Sequence, residues 1–171
     1  YFHSNQHQIK TGLSVNKYHF EPGIIEPATD SSSISTFNMR DKFAYETALF
    51  IQDEWKVSER LLIKAGLRWS SFCRVGADTV LTYQDNSPIS YDPLLGQYLN
   101  GEVTDSTFYG QNELVSSYSN LEPRLSIRYQ LDDTRSIKAS YQKINQYLHL
   151  ITNASSPTPL DIWAPSGPFI K

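Results

Sequence analysis

The sequence predicts an all-β chain, an antiparallel meander of about five long strands. Three observations carry this. Apolar and polar residues alternate with period two, the alternating runs are long, and the links between them are short and long by turns. The 3.6-residue periodicity of an amphipathic helix is nearly absent.

The first run covers approximately 7–20. Ile9, Thr11, Leu13 and Val15 share one face, and Gln8, Lys10, Gly12, Ser14 and Asn16 the other. The second covers 43–57, where Phe43, Tyr45, Thr47, Leu49, Ile51, Trp55 and Val57 oppose Glu46, Gln52, Glu54 and Lys56. Asp53 falls on the apolar side, near the strand end where an interface tolerates charge. The third covers 61–72, with Ile63, Ala65, Leu67 and Trp69 against Lys64, Gly66, Arg68 and Ser70. The fourth covers 118–131, with Leu121, Leu125, Ile127, Tyr129 and Leu131 against Glu122, Arg124, Ser126, Arg128 and Gln130. The fifth covers 136–147. Ile137, Ala139 and Tyr141 oppose Lys138, Ser140 and Gln142, and the alternation decays after Ile144.

These runs last roughly 9 to 15 residues, against about 5 or 6 for a soluble strand and about 9 to 11 for a strand crossing a bilayer. Tight links at Ser4–Gln6, Ser58–Arg60 and Asp132–Arg135 alternate with long ones beginning near Glu21, Cys73 and Leu150. Outer-membrane barrels show this asymmetry, with short periplasmic turns and long extracellular loops. Alternation alone suits a soluble β-sandwich equally well, because either architecture gives a strand two unlike faces. If the second hairpin pivots at Glu59, Glu54 lies across from Lys64, an opposed pair worth a few tenths to about 1 kcal/mol.

Aromatic spacing favours the barrel. Tyr45 and Trp55 sit at opposite ends of one apolar row, and ten residues tilted by about 40° rise about 25 Å, the height of the band between two aromatic girdles. Trp69 and Tyr129 fit the same scheme. Glu54, Lys64, Arg68, Glu122, Arg124, Arg128 and Lys138 would then face the lumen. The smallest bacterial barrels need about eight strands and fill their interiors with side chains. Small lumen-side residues such as Gly12 and Gly66 suit a larger barrel, of which this chain supplies a part.

Composition removes other classes. Fifteen Lys+Arg against 18 Asp+Glu give a net charge of −3, which argues against coating nucleic acid. The single cysteine excludes an intrachain disulfide framework and a thiolate zinc site. The start at Tyr1-Phe2-His3 and the end at Pro168–Lys171 read as interruptions, so an internal segment of a longer protein is expected.

The run from Ala48 to Val57, its polar turn and the run from Leu61 to Trp69 resemble a hairpin of TonB-dependent outer-membrane receptors. Asn120–Tyr129 resembles another barrel hairpin of that family. Asn145–Leu150, continuing through Ser155–Pro159 to Asp161–Pro165, is similar to receptors of the Bacteroidetes lineage. The resemblance covers most of the chain apart from much of 73–117. It implies a twenty-two-stranded barrel in the bacterial outer membrane, blocked by a plug that this segment lacks. It also implies energy from a TonB complex, and import of an iron chelate, haem, cobalamin, glycan or peptide. A surface lipoprotein is a further possible partner. No cofactor is implied.

No enzymatic motif stands out. There is no GxSxG or SxxK arrangement, and Ser156-Pro157 is not a nucleophile elbow. Cys73 has no adjacent activating histidine and reads as a bystander thiol. Asp132-Asp133 reads as a turn, and Asp53 and Glu54 point to opposite faces. His3, His7, His19 and His149 show no metal-ligand spacing. We expect no enzyme and no metal.

Loop 73–117 is the strongest ligand candidate. Tyr91, Tyr98 and Tyr109 offer stacking surfaces, Asp78, Asp85, Asp92, Glu102 and Asp105 add acidity, and Arg74 is the only cation. A self-packed surface loop weighs about evenly against it. The proline-rich stretch 155–168 is expected as a rigid extracellular loop and not a central strand. Two other functions stay open. One is a soluble secreted β-sandwich binding carbohydrate or protein, for which Asn153-Ala154-Ser155 is a weak glycosylation match. The other is a non-transporting outer-membrane adhesin or assembly barrel.

Overall fold

The structure is a computed structural model in which residues 2–4, 6–27, 29, 36–152 and 161–170 are described. In chain order its strands are β1 (Phe2–Ser4), β2 (His7–Phe20), β3 (Ile24–Ile25), β4 (Phe37–Asn38), β5 (Lys42–Lys56), β6 (Leu61–Val75) and β7 (Asp78–Tyr83). There follow β8 (Ile89–Asp92), β9 (Gln97–Asn100), β10 (Val103–Tyr109), β11 (Leu114–Gln130), β12 (Ser136–Gln142), β13 (Leu148–Thr152) and β14 (Asp161–Pro165). No helix occurs among the described residues.

Six strands make the main sheet, in the order β1-β2-β5-β6-β11-β12. Spatial order follows chain order, as a meander requires. The chain divides into two compact units. The first comprises Tyr1–Asn16, Glu46–Phe72 and Tyr118–Gln146, and the second comprises Lys17–Tyr45, Cys73–Ser117 and Tyr147–Lys171.

In the first unit the tight turns are built locally. Ser58 Oγ accepts hydrogen bonds from the N–H groups of Arg60 and Leu61, while Val57 N–H donates to Leu61 O at 3.0 Å. Asp132 does the same work between β11 and β12. Its Oδ1 accepts from the Thr134 and Arg135 N–H groups, both at 2.9 Å, and Arg135 Nε donates to Oδ2. Such side-chain-to-backbone bonds are why aspartate and serine open turns.

Burial reverses the rule of a water-soluble core. The apolar row is open, with Leu13 65% exposed, Ile51 54% and Leu121 55%, and with Leu67, Leu125, Ile127 and Ile137 also exposed. At the centre of the opposite row Glu122 and Ser70 are fully buried, beside Ala48 and Phe72, while Lys64, Arg124, Arg128 and Lys138 on the same row stay exposed. A β-sandwich would bury the first row and expose the second.

Two expectations are corrected and a third is refined. The fifth run, expected over 136–147, ends as a strand at Gln142. The ladder stops where Arg124 faces Gln142, because Pro123 follows and has no N–H to donate. Lys143 N–H donates to Pro123 O, and the chain then leaves the sheet. The stretch 73–117 is not one loop. β6 continues to Val75, β11 begins at Leu114, and between them β7 pairs with β10 and β8 with β9. Threonine, valine and tyrosine through 78–83 and 103–109 favour pleated structure despite their polarity. The rigid loop expected over 155–168 includes a short strand, β14, which pairs with β13 outside the main sheet and ends at Pro165. Asn153–Ser155, Ser156-Pro157 and Pro159 lie outside the described residues.

Candidate functional site

The even-numbered positions of β5, β6 and β11 place their side chains on one face of the first unit. Arg68 sits at the centre. Its Nη1 donates to both Glu122 oxygens at 3.2 and 3.0 Å, and its Nη2 donates to Glu46 Oε1 at 3.1 Å. Ser70 Oγ donates to Glu122 Oε1 at 3.0 Å, and the Asn145 backbone N–H also reaches this carboxylate. Arg124 Nη2 stands 3.7 Å from Glu122 Oε2. A buried carboxylate is tolerated only when its charge and lone pairs are matched, and here they are. Further along the row, Lys64 Nζ lies 2.7 Å from Glu54 Oε2.

Arg128 and Lys138 behave differently. They face each other directly across β11 and β12, both are exposed, and neither forms an ion pair among the described residues. Like charges so opposed repel, so this part of the row is left electropositive.

On the apolar row, Trp69 Nε1 donates to Ser119 Oγ at 2.7 Å, and Trp55 stacks on His7 with ring centres 5.4 Å apart. Tyr129 is exposed opposite Ile137. In the second unit Tyr45 lies under the Lys17 ammonium at 6.0 Å. Asp53, out of place by parity, is matched by His7 Nδ1 at 2.7 Å.

Also in the second unit, Tyr91 and Tyr98 are brought together as direct partners on β8 and β9, their rings 5.2 Å apart and exposed. Tyr109 stands on a different hairpin, across from Asp78, and is half-buried. His19 stacks on Phe43 and holds a carboxylate at each ring nitrogen, Glu21 at 3.1 Å and Asp41 at 2.8 Å. One donor atom from each of these three exposed residues lies within 4.8 Å of the others, a spacing that could hold a metal ion. Each His19 ring nitrogen is engaged by a different carboxylate.

A second charged cluster lies in this unit, before Tyr45 on β5 and at the β6–β7 junction. Asp78 Oδ2 accepts from Arg74 Nη2 and from Lys42 Nζ at 3.3 Å, while Oδ1 accepts from Thr79 N–H at 2.8 Å. Arg40 Nη1 donates to Thr79 Oγ1 at 2.7 Å. Burial pushes the Asp78 carboxyl up, but the Arg74 hydrogen bond and the charges of Lys42 and Arg74 outweigh it and hold it below the ordinary range. Burial and then the Arg74 charge push the Lys42 ammonium down. Asp78 opposes this and Arg40 adds to it.

Sequence reasoning missed Ser70 and Asn145 as partners of Glu122, Glu46 as the second partner of Arg68, Lys42 as a neighbour of Arg74, and Arg40 as the partner of Thr79. One signal was available: Arg74 is the lone cation of an acidic stretch.

No curated protein and no solved structure matches the chain. The family model described as "Outer membrane beta barrel domain" matches residues 4–158, nearly the whole sequence. That match agrees with the all-strand architecture and puts the sheet in the bilayer of the bacterial outer membrane. With an open apolar row on one face of the meander and a charged row with a buried, ion-paired centre on the other, the chain belongs to the outer membrane beta barrel domain family.

Proposed function

We propose that this chain is part of the wall of a TonB-dependent receptor that imports a scarce nutrient by energy-coupled transport. The observation that carries the reading is the inverted burial of the first unit. An open row of leucine, isoleucine and aromatic side chains suits lipid, and an ion-paired row on the other face suits a wide polar interior. Among the described residues the main sheet has six strands, fewer than the eight of the smallest barrels, which suits a part of a larger wall.

In this reading Arg128 and Lys138 present charge to a plug or to the translocation path, and the Arg68–Glu122–Glu46 network stiffens the wall beside it. Tyr45, Trp55, Trp69 and Tyr129 mark the two interfaces. Tyr91 and Tyr98 stand on an outer hairpin where ligand is met. The soluble sandwich loses ground because its apolar faces would need a second layer, and Ile51, Leu125 and Ile127 have none over them.

The test is uptake by cells carrying the complete receptor, across the nutrient classes named above, with TonB present or deleted. Uptake of one class should vanish without TonB while surface binding persists. Uptake indifferent to TonB, or cell adhesion with no uptake of any class, overturns the proposal in favour of a passive or adhesive barrel.

A further inference from the structure

The second unit holds a cavity of about 250 Å³. Lys42, Arg74, Thr79, Tyr83 and Phe169 are among its lining residues. Its floor has more positive than negative charge. Lys42 and Arg74 meet at one carboxylate, Asp78, whose two oxygens are already taken by Arg74, Lys42 and the Thr79 N–H, and Arg40 stands next to them on the Thr79 hydroxyl. Arg74 is only 9% exposed, yet its Nε has no hydrogen-bond partner among the described residues. A buried guanidinium N–H without an acceptor is costly and is normally found only where something else supplies one. Thr79 Oγ1 accepts from Arg40, which leaves its own proton free to donate.

The walls are equally particular. Residues 167–170 close as a tight turn, with Gly167 N–H donating to Ile170 O at 2.7 Å. Gly167 packs directly on Arg74 Nη1, and a Cβ there would displace the guanidinium. Phe169 meets Tyr83 edge to face at 5.4 Å, forming an aromatic side to the cavity.

We propose that this cavity binds the oxyanion of a small soluble ligand, a carboxylate or a phosphate, held by Lys42, Arg74 and the Thr79 hydroxyl. Bidentate geometry at a guanidinium suits either group. The bound charge would also relieve the mutual repulsion of Lys42, Arg74 and Arg40. The site supplies a ligand chemistry for the import reading and rests on that reading only for what happens to the anion after binding.

The test is isothermal titration of the complete protein in detergent, in Tris chloride, with citrate, with inorganic phosphate and with neutral glycerol. Citrate or phosphate should bind saturably and glycerol should not. Lys42→Gln, which leaves the Arg74–Asp78 pair intact, should weaken binding by about tenfold, as should Arg74→Lys, which keeps the charge and loses the fork. Heat-modified migration on gels checks that each variant is folded. If neither anion binds, or if both folded variants bind as well as the parent, the site is wrong. An anion that binds but enters cells without TonB keeps the site and removes the import reading. A TonB-dependent importer indifferent to both anions loses only the site.

Discussion

Leu49 and Ile51 are the immediate neighbours of Ala48 and Gln52 along β5, yet the two sets meet different surroundings. Leu49 and Ile51 stand open, while Ala48 is buried and Gln52 half-buried. Across the neighbouring strands Leu67 and Leu125 continue the open row, and Arg68, Glu122 and Ser70 continue the covered one. Water would reverse this assignment. The difference teaches that the solvent of the open row is hydrocarbon, and that polar groups have been drawn together on the other side, where they satisfy one another.

The sharpest way to break the contrast is to put a charge on the open row. Ile51→Arg should destabilise the barrel in lipid vesicles by up to about 4 kcal/mol, read from denaturant unfolding. Gln142→Arg, on the opposite parity, should change it little. Equal effects would erase the distinction between the faces.

The next effect concerns the covered row. Arg68→Ala leaves Glu122 buried with its main cation gone, and should cost about 3 kcal/mol, the low end for a broken buried pair because Arg68 is itself 23% exposed. Lys64→Gln, in a half-exposed pair, should cost less than about 1 kcal/mol. A larger loss at Lys64 than at Arg68 would contradict the network as described.

The smallest effect is at the turn. Hydrogen bonds from the Thr134 side chain and N–H, and then from Arg135, hold the Asp132 carboxyl below the ordinary range. A depressed folded value means the contribution is complete above about pH 4 and is lost as the pH falls through the folded value. The stability difference between the parent and Asp132→Asn should therefore shrink on acidification below about pH 4. A difference unchanged at pH 3 would show that the carboxylate charge is not what holds the turn.

The two faces of the wall were legible in the sequence because side-chain direction in a strand has a strict period of two, and a run such as 118–131 keeps it through Pro123. The turns at Ser58–Arg60 and Asp132–Arg135 were legible because their chemistry is local. The partners of Glu122 were not, since Arg68, Ser70 and Asn145 come from separate stretches and meet only through strand register and the exit of the chain at Lys143. The hairpins within 73–117 were hidden because their threonines and aspartates break the apolar rhythm that marks a half-buried strand. The Arg40–Lys42–Arg74 cluster combines both obstacles, one arginine in a stretch that looks acidic and two cations from before β5 or at its start.

The central claim is tested most directly by spin-labelling single cysteines, in a Cys73→Ser background, at Leu49, Ile51, Leu125 and Ile127 and at Gln52, Arg124, Ser126 and Arg128 of the complete protein in bilayers. Labels at the first four positions should be broadened by oxygen, which partitions into hydrocarbon, far more than by a water-soluble nickel chelate, and labels at the last four should not. The same accessibility ratio at both sets, or its reverse, would contradict a wall whose apolar row meets lipid.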